Sequence, residues 1–216
     1  ATVLATQPVT LQNIPHIRDV ETLLEIVASL GAEVRWDDNN VVTVDASSVA
    51  SADVDRALAE RIRASLLLAG PLLARFGRVD LPPPGGDVIG RRRMDTHFLA
   101  FTALGAEVRL NGGFQIQTPG LTGADIFLDE PSVTGTENAI MAAVLADGET
   151  LLRNVASEPH VQDLCRLLNG MGAQIGGIGT NRLRIEGVKE LGGTTFAIGT
   201  DHIETGSFIG LAVVTG

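Results

Sequence analysis

The chain has one cysteine, one tryptophan and no tyrosine among its 216 residues, and only 4% of it is aromatic. A single thiol, Cys165, excludes an intrachain disulfide and a cysteine-based zinc site, and this usage predicts a reducing cytoplasm as the compartment. The scarcity of rings removes the stacking platforms on which single-stranded nucleic acids are held. Positive charge is also in short supply: 16 Lys and Arg stand against 26 Asp and Glu, giving a net charge of −10 and a pI near 4.8. A surface of that sign repels a phosphate backbone, so no nucleic-acid partner is expected, and any phosphate contact must come from a local cationic site. No uninterrupted apolar run approaches membrane-spanning length. The longest, Ala64 to Ala74, is broken by Pro71 and reads as a buried helix, so no membrane partner is expected. The first residues lack a basic n-region and an initiator methionine, and read as an internal boundary rather than a signal peptide.

What the chain does have is a 44% hydrophobic composition, enough for a substantial core, and a phrase that recurs three times. LGAEVRWDDNNVVTVD starts at Leu30, LGAEVRLNGGFQIQT at Leu104 and MGAQIGGIGTNRLRIEG at Met171. Upstream of the glycines, Val20, Leu23, Leu24, Val27 and Leu30 fall on one face of a helix. Met94, His97, Phe98, Phe101 and Leu104 repeat that spacing, and so do Val161, Leu164, Cys165, Leu168 and Met171. Two extended segments follow each glycine across a polar turn, and then a second, more apolar helix: near ALAERIRASLLLAGPLLARFG, TGTENAIMAAVLADG and IETGSFIGLAVVTG. Three such units predict one α/β domain closed around a common axis, with helices inside and sheets outside, each helix stripe finding its partner within the set. The opening ATVLATQPVTLQNIP resembles AAVLADGETLLRNVA from Ala142, so the chain is expected to begin inside a helix of a preceding unit and to be a piece of a longer protein.

Between Leu81 and His97 lies LPPPGGDVIGRRRMDTH, where prolines and glycines shape a loop that offers one carboxylate and three arginines. Locally this reads either as a cationic site for a small anion or as a surface turn running into a solvated basic helix start. Together with IRASLLLAGPLLARFG, EPSVTGTENAIMAA and DHIETGSF, and in that order and spacing, it resembles the first domain of the UDP-N-acetylglucosamine enolpyruvyltransferase (1-carboxyvinyltransferase) family over essentially the whole chain. The resemblance implies an inside-out α/β barrel of three repeated βαβαββ-type units as a single domain over residues 1–216, truncated at both ends relative to a two-domain parent. It implies phosphoenolpyruvate and UDP-N-acetylglucosamine as small-molecule substrates, the parent's second domain as a partner, and no cofactor or metal. The shikimate 3-phosphate transferase, which shares the fold, and a non-catalytic nucleotide-sugar-binding module are the alternatives.

Residue by residue, the resemblance assigns proton delivery to Asp87, where most members carry cysteine; read alone, Asp87 is a turn aspartate after two glycines. Because a carboxylate is a poor nucleophile toward an epoxide, insensitivity to fosfomycin is implied. Arg92 is assigned to phosphoenolpyruvate and the nucleotide, which suits a bidentate guanidinium, whereas Arg91 reads as a solvated charge. Arg93, Met94, Asp95 and Thr96 fall on the nucleotide side; Arg93 replaces a proline usual in the family, and Asp95 also fits a first-turn carboxylate. Arg63 is assigned to substrate phosphate, with a structural ion pair as the alternative. Ser132, Val133 and Thr134 open a helix whose N–H groups and hydroxyls suit a diphosphate, and the same residues suit helix capping. Glu130 stands where lysine is frequent. His97 and Cys165 are expected in the core. Glu158 and His160 are cleft-edge or helix-start residues, and Arg18 is an accessory cation.

Overall fold

One wiring repeats three times along the chain; the structure, a computed structural model, describes residues 1–37, 40–86 and 93–216. After a 3-10 turn at Thr2–Leu4, the first unit runs β1 (Val9–Gln12), α1 (Arg18–Ser29) and the hairpin β2 (Glu33–Asp37) and β3 (Val41–Asp45). It ends with α2 (Arg56–Ala59), a 3-10 segment at Arg63–Leu68 and α3 (Ala69–Phe76). The second unit is β4 (Arg78–Leu81), α4 (Asp95–Ala103), β5 (Glu107–Leu110), β6 (Phe114–Gln117), β7 (Asp125–Phe127) and α5 (Val133–Ala143). The third is β8 (Glu149–Arg153), α6 (Pro159–Gly170), β9 (Gln174–Gly176), β10 (Arg182–Glu186), β11 (Thr194–Ala197) and α7 (His202–Thr215).

Each leading strand pairs antiparallel with the second strand of its own hairpin: β1 with β3, β4 with β6, β8 with β10. On its other side lies the last strand of another unit, in parallel. β7 pairs β8 with Ile126 opposite Leu152, and β11 pairs β1 with Thr195 opposite Thr10, so the third unit closes onto the first. Between the first and second units the same place holds a single bridge, Asp53 to Asp80.

The recurring Leu/Met-Gly-Ala phrase is a helix stop. Gly31, Gly105 and Gly172 end α1, α4 and α6 with φ of +104°, +95° and +107°, a region that side chains rarely enter. The alanine that follows then donates its N–H back five residues, Ala32 to Val27, Ala106 to Phe101 and Ala173 to Leu168, satisfying carbonyls the helix leaves open. The residue before each glycine, Leu30, Leu104 or Met171, is buried, as are Val27, Phe101 and Leu168. The rest of each stripe is buried or half-buried.

Inside these layers α3 packs on α5. α5 is buried from Asn138 to Ala143, which explains a helix apolar on nearly every side. Helices and mixed sheets alternate along the chain, the expected α/β class. Two details differ from the sequence reading. The apolar stretch after Leu58 is not one helix: Pro71 has no N–H to donate back a turn, so the α-helix begins at Ala69 with Pro71 in its first turn, and a 3-10 segment precedes it. The second helix of the third unit, expected with the other helices on the inside, is α7, none of whose residues is buried. Between α1, α5 and α6, beside the Thr2–Leu4 turn, lies an apolar cavity of about 300 Å³ lined by Leu23, Leu24, Met141 and Leu164.

Candidate active site

A cavity of about 500 Å³ opens where three segments converge. The 3-10 segment contributes Arg63, with Leu66 and Leu67 as apolar floor; the segment before α4 contributes Arg93; the connection from β7 contributes Glu130 and Ser132, and the first turn of α5 contributes Thr134. Of the residues singled out from the sequence, Arg63, Arg93, Ser132 and Thr134 therefore line one space. Asp87 and Arg92 lie outside the described residues. The loop leading to them is placed: a Cβ on Gly85 would come within 1.6 Å of the Glu60 carbonyl oxygen, and one on Gly86 within 3.1 Å of the Arg63 nitrogen. The glycines thus let the chain run directly against the arginine that lines the cavity.

The sequence builds the helix mouth locally. Ser132 has extended backbone and its hydroxyl accepts the Gly135 N–H at 3.2 Å, which starts α5 and leaves the N–H groups of Val133 and Thr134 without helical partners. The helix dipole adds positive potential at that point. Around it runs a charge network. Arg93 Nε donates to both oxygens of Asp95 at 3.0 Å, and its terminal nitrogens reach Asp129 and, at 3.5 Å, Glu130. Hydrogen bonds to Asp95 and Asp129 hold the guanidinium's pKa above its ordinary value. The Thr96 hydroxyl donates to Asp129 at 2.7 Å, which with Arg93 draws that carboxyl below its usual range. Thr96 is 1% exposed, so its side chain serves this tie between α4 and the β7–α5 connection rather than facing the cavity. Met94 and Val133 are half-buried flanking residues.

His97, expected in the core, is 1% exposed and its pKa is pushed down to about 4, chiefly by burial and then by the nearby Arg63 charge. Its ring is nonetheless bonded to the site: Nε2 lies 3.2 Å from Thr134 Oγ1 and Nδ1 lies 2.9 Å from Asn138 Nδ2. Asp129 and Asn138 were not picked out from the sequence. The available signals were an acid beside Glu130 just before the hydroxyl-rich helix start, and an amide inside an apolar helix. Cys165 is buried and burial pushes its thiol up to about 12, so it is a core group and not a nucleophile. Arg18, at the first turn of α1, does not line the Arg63 cavity. Neither do Glu158 and His160: Glu158 begins α6 with a buried Oε2 that has no partner among the described residues, and His160 stacks on His202 beside a separate cavity. Among the described residues, no His, Cys, Asp or Glu cluster could hold a metal ion and no helix is long and apolar enough to cross a membrane.

The profile of the EPSP synthase (3-phosphoshikimate 1-carboxyvinyltransferase) family matches residues 1–216. Within that family the chain is 59% identical over 215 residues to the UDP-N-acetylglucosamine 1-carboxyvinyltransferase of Bradyrhizobium diazoefficiens and 56% identical to that of Treponema denticola, in each case covering all of this chain and 50% of the relative. It spans about half the length of the curated relatives it matches. Among solved structures, the enolpyruvyl transferase NikO from Streptomyces tendae superposes with a TM-score of 0.84 at 25% identity, over 96% of this chain and 50% of that one. EPSP synthase from Acinetobacter baumannii gives 0.74 at 20% identity over 96% of this chain and 47% of its own, a likeness of fold alone. With its whole length matched by the family profile, the chain belongs to the EPSP synthase (3-phosphoshikimate 1-carboxyvinyltransferase) family.

Proposed function

We propose that the protein containing this domain transfers the enolpyruvyl group of phosphoenolpyruvate to the 3-hydroxyl of UDP-N-acetylglucosamine, a cytoplasmic step toward peptidoglycan. The observation that supports this most is the Arg63 cavity, where a guanidinium, the start of α5 and two hydroxyl side chains converge on space for a phosphorylated ligand. The 59% identical relative carries that activity in its name, and the shikimate enzyme is related at the level of fold. The chemistry adds the sugar oxygen to C2 of phosphoenolpyruvate while C3 takes a proton. Loss of a C3 proton and of phosphate from C2 then restores the double bond, leaving an enolpyruvyl ether and inorganic phosphate. Asp87 is the proposed proton donor, Arg92 and Arg63 hold anionic oxygens, and the residues around Arg93 and Asp95 face the nucleotide. The curated relative is about twice as long, and in this reading its other half supplies the second wall of the site, so the 216-residue chain alone is expected to bind the nucleotide sugar without turnover.

In the full-length enzyme, Asp87→Ala should lower kcat by at least about a hundredfold while changing the affinity for UDP-N-acetylglucosamine less than about threefold, measured by phosphate release and calorimetry. Equal and small effects on both would make the loop structural and overturn the assignment. The same position sets the response to epoxides. Wild-type enzyme incubated with fosfomycin should show no adduct by intact mass, since Cys165 is buried, and Asp87→Cys should acquire one.

A further inference from the structure

The strongest unassigned feature is a buried polar chain from the core to the cavity wall. Asn138 is 0% exposed, in the middle of α5 and followed by an apolar stretch, and both polar atoms of its amide are used. Its Oδ1 lies 2.8 Å from the Gly70 backbone nitrogen, which can only donate, and its Nδ2 lies 2.9 Å from the Leu66 carbonyl oxygen, which can only accept. These two contacts fix the amide: turned over, it would set donor against donor and acceptor against acceptor. The second Nδ2 hydrogen therefore points at His97 Nδ1, 2.9 Å away, and that nitrogen must accept. A neutral imidazole whose Nδ1 accepts carries its proton on Nε2, and Nε2 faces the Thr134 oxygen at 3.2 Å. Among the described residues Thr134 makes no other side-chain hydrogen bond, and it is exposed on the wall of the cavity that Arg63 also lines. With its lone pair engaged by His97, its hydrogen is directed outward.

We infer that His97, locked by Asn138 as the Nε2–H tautomer, is a positioning residue that makes the Thr134 hydroxyl a hydrogen-bond donor to an anionic phosphate oxygen bound beside Arg63. The opposite tautomer would take Thr134's hydrogen for itself and present lone pairs to the ligand, which repel phosphate. The choice between donor and acceptor at the cavity wall is thus made by an amide buried one layer below. This rests on the proposed nucleotide-sugar reading for the identity of the ligand, but not for the tautomer.

Two measurements on the chain test it. Long-range proton–nitrogen correlation spectra of the histidine-labelled protein should show His97 protonated at Nε2 and bare at Nδ1 at neutral pH. Protonation at Nδ1, or on both nitrogens, overturns the inference. Calorimetry with UDP and with pyrophosphate should show Thr134→Val weakening binding by about tenfold or more, the effect of a lost hydrogen bond to a charged group, with Thr134→Ser returning to within about threefold of wild type. Thr134→Ser, which keeps an acceptor for His97, should unfold at the wild-type temperature, and Thr134→Val, which removes it, is titrated at a temperature where circular dichroism shows it fully folded, which separates lost donation from lost folding. Wild-type UDP affinity in Thr134→Val defeats the inference and leaves the functional reading standing. Threonine-dependent binding of pyrophosphate with none of UDP does the reverse. Binding of neither probe defeats both.

Discussion

α5 and α7 occupy the same place in successive units, yet one is the most buried helix of the molecule and the other is wholly exposed. Each follows the parallel strand of its sheet, and each starts from an N-cap side chain, Ser132 accepting from Gly135 and Asp201 from Ile203 and Glu204. Each is rich in small and branched apolar residues. Their fates differ because α5 enters a slot walled by α3, α4 and α6, whereas no residue of α7 is covered: Ile203, Phe208 and Ile209 are more than 60% exposed. Local sequence makes both helices; it is the surrounding walls that make one of them a core. The same difference explains why the candidate site is at α5. A helix start can hold its hydroxyls, and a buried histidine behind them, only if neighbouring elements fix it.

The comparison is most sharply broken by truncating one residue in each helix. Ile140→Ala in α5 should cost about 2–5 kcal/mol in urea unfolding, through lost burial and a residual cavity, while Ile209→Ala in α7 should stay within about 0.5 kcal/mol. Equal costs would mean that α7 is packed in solution.

A smaller effect concerns two titrating groups packed with α5. His97 has its pKa lowered by burial to about 4, so between that value and its ordinary 6.5 the unfolded chain binds more protons and stability rises with pH. Glu137, on α5 itself, is raised by burial and then by Glu158 to about 7, against the opposing pull of the Ala1 amine. Below its ordinary 4.5 that contribution is complete, and it is lost as pH rises through 7. From pH 4.5 to pH 6, up to the half-titration of the Ala1 amine, whose pKa burial lowers to about 6, the two slopes oppose each other, each worth roughly 2 kcal/mol. Wild-type stability should therefore change little across that window, while Glu137→Gln should gain about 2 kcal/mol from its lower to its upper end. A flat profile in the variant would show that His97 does not titrate as its surroundings dictate.

Much of the fold was legible because its signals are local. The Gly31, Gly105 and Gly172 marks each encode a positive φ and a returned N–H, and a stripe of apolar residues reports one face of one helix whatever it packs against. The cavity was partly legible for the same reason: Ser132 and Thr134 announce a helix start, and Arg63 is a cation at the edge of an apolar run. The Arg93–Asp95–Asp129–Glu130 network was not, since it joins residues more than thirty positions apart whose charges read singly as solvated surface.

His97 shows the division most clearly. Sequence periodicity alone put it on the buried stripe of α4, and burial alone predicts a neutral ring. Which nitrogen keeps the proton depends on Asn138, Leu66 and Gly70, brought together from two units, and on what those three can donate or accept. By itself the sequence determined the helices, their stops and the repeated order of strands, because these depend on backbone conformation and on neighbours within a turn or two. Only the tertiary structure decided which apolar helix became core and which way a buried hydrogen-bond chain points, because both depend on partners that the chain supplies from far away.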